Sequence, residues 1–149
     1  MPHNLRWFPV TLLLVSLVGF LDAAYLAAKH FLGLPVVCTF LGGCGTVTTS
    51  RFSVIAGIPV ALLGACYYLV VFLLVVAYFD TKRNSLMVMA ARLTPVGFLA
   101  SLWFVFVQAF LLKAWCLYCL VSAVTSTILF VVALIYFFQC KKHEPTETS

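Results

Sequence analysis

Residues 58–79 read IPVALLGACYYLVVFLLVVAYF, a run without a charged side chain that stops on Asp80, Lys82, Arg83 and Asn84. Crossing the roughly 30 Å of bilayer hydrocarbon takes about 20 helical residues, so this run predicts a membrane span. Pro59 is expected in its first helical turn, where a missing N–H costs nothing. Three other runs have the same character. Val10 to Ala28 is interrupted only by Asp22 and preceded by Arg6 and Trp7. Leu93 to Leu112 has Pro95 near its start and closes on Lys113 and Trp115, and Cys116 to Phe138 follows. Of the 149 residues 64% are hydrophobic and 9% charged, against roughly 25% charged in a soluble domain. A water-soluble globule and a disordered chain are both excluded. The expectation is an all-α integral membrane protein, a single four-transmembrane-helix bundle over residues 1–140 with a disordered cytoplasmic tail at 141–149.

The first run also has the charged, apolar and small-residue regions of a cleaved signal peptide, but its length is that of a retained anchor. Between Lys29 and Ile58 the composition changes to Gly, Pro, Thr and Ser, which predicts one substantial loop over 29–57. An amphipathic linker ending at Arg92 is expected between the second and third spans. With the amino terminus in the cytoplasm, Arg6, Lys82, Arg83, Arg92, Lys141 and Lys142 lie inside and Lys29, Arg51 and Lys113 outside. That distribution satisfies the positive-inside bias and makes the loop extracytoplasmic. The net charge of +5 is scattered rather than gathered in a patch, which argues against nucleic-acid binding.

Four of the six cysteines then meet at the outer face. Cys116 and Cys119 stand three apart at the start of the fourth helix, on one face and close enough to bridge. The helix dipole and unpaired amides there favour a thiolate at Cys116, the physics of a redox-active pair. Two small residues packing helix to helix is the plainer alternative. Cys38 and Cys44 form a second pair with glycines between and after them. Alone it reads as a structural staple, whereas two pairs on one face read as a relay passing a disulfide by thiolate exchange. Cys66 and Cys140 have no partner at a readable spacing and are expected to be inert. Asp22 is either functional, as intramembrane carboxylates are by default, or hydrogen-bonded to a neighbouring helix. His30 with Cys38 and Cys44 lacks a fourth ligand for zinc, so no metal is expected. Phe52, Trp115 and Tyr118 either cover a bound ring or form an interfacial aromatic belt.

In joint order, four short spans, Cys38-x5-Cys44, Ser50 six residues on, Gly57-Ile58-Pro59 and Cys116-x-x-Cys119 resemble the vitamin K epoxide reductase family across the membrane core. The other four-helix quinone-linked thiol oxidases of bacteria carry Cys-x-x-Cys in the first loop, so the order separates the two families. The resemblance implies a thiol oxidoreductase that supports disulfide bond formation. Electrons pass from a thioredoxin-like protein through Cys38 and Cys44 to Cys116 and Cys119, then to a quinone of menaquinone, ubiquinone or phylloquinone type. It implies that Cys38 meets the partner, that Cys44 exchanges with Cys116, that Cys119 lies against the quinone and that Ser50 hydrogen-bonds near it. Animal members carry a longer polar insertion, an Asn at the start of the second helix and a Tyr beyond the Cys-x-x-Cys. Here the insertion is absent and Val60 and Ala123 fall at those positions, so the likeness is to bacterial members. Many of those carry a fused thioredoxin-like domain. With the chain ending soon after the fourth helix, the partner is expected in trans. The implied location is a bacterial inner membrane with the site facing the periplasm, or the luminal face of the endoplasmic reticulum in a eukaryote. The alternatives are an animal-type vitamin K epoxide or quinone reductase and, from another class, a tetraspanin-like scaffold. A small multidrug transporter using Asp22 is a third.

Overall fold

Backbone polar groups have no water to bond in hydrocarbon, so an apolar chain must satisfy them within helices. The computed structural model describes residues 6–143 except 37, 40 and 41. Its helices are α1 (Trp7–Phe31), the short α2 (Cys44–Thr49), α3 (Val60–Thr81), α4 (Asn84–Phe106) and α5 (Leu117–His143). A π-helical segment, Val107–Leu112, prolongs α4. With that extension α4 joins α1, α3 and α5 as a helix long and apolar enough to cross a bilayer. The protein is a four-helix membrane bundle. α1 packs on α3 and α5, and α4 on α3 and α5, which closes a ring of four. Leu14, Leu73, Leu99 and Phe110 point outward and are exposed in the isolated chain, as lipid-facing side chains should be. Inside, small residues allow close approach: an added Cβ at Gly19 would lie 2.4 Å from the Tyr68 ring.

Three sequence expectations about helix bounds need correction. The linker expected to end at Arg92 is helical from Asn84, because Met87, Ala90 and Ala91 repeat at helical spacing and are buried in the core. Lys82 closes α3 in the left-handed conformation, and Arg83 opens α4 in an extended one. Pro95 therefore lies inside a helix, where it cannot bond the carbonyl of Ala91. The buried Thr94 hydroxyl donates to that carbonyl instead, at 2.8 Å. Pro59 is also displaced from the first helical turn. It pairs with Val54 in a two-residue hairpin, β1 (Val54–Ile55) and β2 (Ile58–Pro59), and α3 begins after it. Ala56 and Gly57 make the turn with positive φ of 52° and 82°, as such short hairpins require. Of the tail expected to be disordered, residues 141–143 continue α5, and 144–149 lie outside the described residues.

Candidate functional site

The loop between α1 and α3 folds back onto the bundle end through α2. Cys44 and Val47 on that helix are buried with Leu26 of α1, Val36 of the loop and Cys116, forming an apolar cluster separate from the main core. The Thr48 and Thr49 hydroxyls donate to the carbonyls of Cys44 and Gly45 at 2.7 and 2.6 Å, so the other face of α2 meets its own hydrogen-bonding needs. Gly43 caps the helix against the backbone of Trp115, where a Cβ would come within 2.6 Å of both the nitrogen and the carbonyl oxygen. Glycine is needed here because of that close approach, not because of an unusual φ. Cys38 and Cys44 are joined in a disulfide with Cα atoms 5.8 Å apart. Cys44 is 1% exposed and Cys38 is half-buried.

Cys116 was expected in the first turn of the last helix but caps it instead, its carbonyl accepting from the Leu120 amide at 3.0 Å. Its own N–H donates to Gln108 Oε1 at 2.9 Å. Gln108 is 1% exposed and sits on the π-helical segment, whose end turns through Lys113 at φ 49°. Cys116 and Cys119 are free thiols one turn apart. Hydrogen bonding to the Cys119 side chain, opposed by burial and aided by the Cys119 and Tyr118 backbone amides, lowers the Cys116 thiol to about 7. The sulfurs of Cys38, Cys44 and Cys116 all lie within 4.8 Å of one another. Two of them are bonded to each other, so the cluster does not offer three thiolate ligands. His30 lies outside it, exposed near the end of α1.

Beside the sulfurs is a cavity of about 350 Å³ among α1, α3, α4, α5 and the loop. Cys119, Ser50 and Phe52 line it, and Cys116 does not. The Ser50 hydroxyl donates to the carbonyl of Val47 at 2.8 Å. Trp115 is exposed and Tyr118 packs on Tyr25 with ring centroids 5.1 Å apart, so of the three aromatics considered only Phe52 reaches the chamber. Among the described residues, two on the lining carry buried polar atoms with no hydrogen-bond partner, Asp22 Oδ2 and the Tyr67 hydroxyl. Cys66 and Cys140 are exposed and outside the sulfur cluster.

The structure thus brings Cys38, Cys44, Cys116 and Cys119 together and sets Ser50 on the same chamber as Cys119. Gln108 and Tyr67 went unnoticed in the sequence. Their signal was faint: one amide in an apolar span, and one hydroxyl among several aromatic residues.

The model of the vitamin K epoxide reductase family matches residues 10–134. A thiol-disulfide oxidoreductase of Arabidopsis thaliana, LTO1, is 32% identical over 123 residues, covering 76% of this chain. The matched region is 32% of that relative, so the chain spans about a third of its length. With its four membrane helices, its two adjacent cysteine pairs and a family match over most of its length, the chain belongs to the vitamin K epoxide reductase family.

Proposed function

We propose that this protein is a quinone-linked thiol–disulfide oxidoreductase that reoxidises a thioredoxin-like carrier outside the membrane and so supports disulfide bond formation. One observation carries the reading: Cys116 lies within 4.8 Å of both sulfurs of the loop pair, while Cys119, one turn on, borders an apolar chamber open to a lipid-soluble ring. The match to a family of this chemistry and the printed activity of the relative from Arabidopsis support it.

Cys38, the more exposed loop sulfur, meets the partner. A partner thiolate attacks Cys38, the Cys38–Cys44 bond breaks, and Cys44 leaves as a thiolate. The partner's second thiol releases Cys38 and leaves the partner oxidised and the loop pair reduced. Cys44 then attacks Cys116 of a Cys116–Cys119 disulfide, and Cys119 departs. Cys38 next attacks Cys44, restoring the loop disulfide and expelling Cys116. A thiol held at about 7 is a good leaving group near neutral pH. This step leaves the loop pair oxidised and the helix pair reduced. A quinone bound in the chamber would accept the two electrons and two protons that Cys116 and Cys119 give up in forming their disulfide. The chamber fits such a group, being apolar with few polar atoms on its wall. Ser50 shapes the loop side of the wall. The excess of basic residues at the opposite end supports an extracytoplasmic site, facing the periplasm if the membrane is bacterial.

The test is reconstitution in liposomes with a benzoquinone or naphthoquinone and a reduced thioredoxin-like protein. Quinol is expected to appear in step with oxidation of the protein dithiol. Cys38→Ala should lose activity with the protein and keep part of it with dithiothreitol, which reaches Cys119 through the chamber. Equal failure with both reductants in a well-folded variant would make the loop disulfide structural and sink the relay.

A further inference from the structure

The chamber that borders Cys119 contains both buried side-chain polar atoms that lack a hydrogen-bond partner among the described residues. Asp22 Oδ2 comes from α1 and the Tyr67 hydroxyl from α3. Orphaned buried polar groups are costly, and their recurrence at one cavity calls for a reason. Neighbouring polar groups on the wall are bonded within the protein. Tyr68, adjacent in sequence, bonds the Ser122 carbonyl and the Thr125 hydroxyl, each at 2.8 Å. Ser101 and Ser126 bond each other at 2.5 Å. Ser50 donates to the Val47 carbonyl at 2.8 Å.

Tyr67 is fixed where it is by Gly97 of α4, at which a Cβ would come within 2.4 Å of the Tyr67 ring end. The ring also packs edge-on to Tyr68 with centroids 5.1 Å apart. Such packing holds a hydroxyl in place without satisfying it. A hydroxyl and a carboxyl supplied by two helices around an apolar chamber suit a ligand that is an apolar ring with oxygens at its edge. Tyr67 can donate to a carbonyl oxygen, and a carboxyl can donate to a carbonyl or accept from a hydroxyl, according to its protonation.

We propose that Asp22 and Tyr67 are the polar anchors of the quinone head group, each hydrogen-bonding one of its ring oxygens. The proposal rests on the quinone-linked reading above and extends it to residues outside the cysteine motifs. Both are ligand-binding residues, and neither belongs to the disulfide relay.

The probe is a short-chain naphthoquinone titrated into the protein in nanodiscs, with affinity read by calorimetry. Loss of one hydrogen bond should raise Kd about tenfold in Tyr67→Phe and in Asp22→Ala. Unchanged thermal unfolding and an intact Cys38–Cys44 disulfide would establish that the variants are folded. Wild-type Kd in both folded variants would overturn the proposal while leaving the quinone-linked reading intact. Absence of binding by the wild-type protein, with a benzoquinone as well, would overturn that reading itself. Should the variants fail to fold, infrared difference spectra of carbonyl-labelled naphthoquinone on the wild-type protein decide. Carbonyl stretches lowered on binding support the anchors, and stretches at their free position overturn them.

Discussion

Replacing Gly43 with alanine tests whether the close seating of the loop on Trp115 sets the rate of sulfur exchange. The new methyl would stand 2.6 Å from the Trp115 backbone nitrogen and oxygen, where ordinary contact begins at 3.4 Å. Neither atom can swing away as a side chain would, so the loop has to retreat by the difference, about 0.8 Å. Gly43 has φ −93°, a value alanine adopts freely, which leaves the contact as the cause of any effect. Misplacing reacting atoms by about 1 Å can cost on the order of 100-fold in rate. Transfer from the loop pair to the helix pair is expected to slow by about 10- to 100-fold on that scale. The assay mixes oxidised protein with a reduced thioredoxin-like protein, quenches in acid at intervals and mass-tags the free thiols of each cysteine. Gly42→Ala and Gly45→Ala are the controls, since a Cβ at either position meets nothing within 4 Å. Exchange at the wild-type rate in Gly43→Ala, or equal slowing in the controls, would refute the reasoning.

Cys116→Ala and Cys119→Ala should each abolish electron transfer to quinone, whereas Cys66→Ala and Cys140→Ala, both at exposed positions, should keep most of it. Steady-state quinol formation separates the two groups, and substantial turnover in either of the first pair contradicts the relay. In a background lacking Cys66 and Cys140, thiolate absorbance should rise through about pH 7 as Cys116 ionises. Below that pH the thiolate fraction should fall about tenfold per unit; no titration below the ordinary thiol value of about 8.5 would contradict the assignment. Gln108→Leu strips the buried Cys116 amide of its acceptor and should cost about 1–3 kcal/mol. A thermal unfolding midpoint equal to wild type would show that this bond is not needed.

How much could be read beforehand depended on which physical demand was written locally. The spans were legible because hydrocarbon demands long uncharged runs, and residues 58–79 meet that demand in sequence alone. Their ends were less so. Pro95 looked like a helix start because the Thr94 hydroxyl that relieves its unbonded carbonyl cannot be inferred from neighbouring residue types. Pro59 looked helical because the pairing of Val54 with Pro59 is a contact across a turn. The cysteine pairs were visible from spacing, since three- and six-residue offsets constrain where sulfurs can go. That both pairs share one face followed from the distribution of basic residues, but the contact that seats the loop, Gly43 on the Trp115 backbone some seventy residues away in the chain, is not written locally. Gln108 and Tyr67 were silent for the same reason, because a buried amide or hydroxyl becomes notable only when its partner, or the lack of one, is seen.

The relay stands or falls on the step between Cys44 and Cys116, and a double variant isolates it. With Cys38→Ala and Cys119→Ala, only Cys44 and Cys116 of the four remain, their sulfurs within 4.8 Å. Mild oxidation followed by non-reducing peptide mapping should recover a Cys44–Cys116 disulfide as the dominant species, formed within one chain. Recovery of both cysteines as free thiols, or pairing of either with Cys66 or Cys140 instead, would contradict the transfer of electrons from the loop to the helix pair.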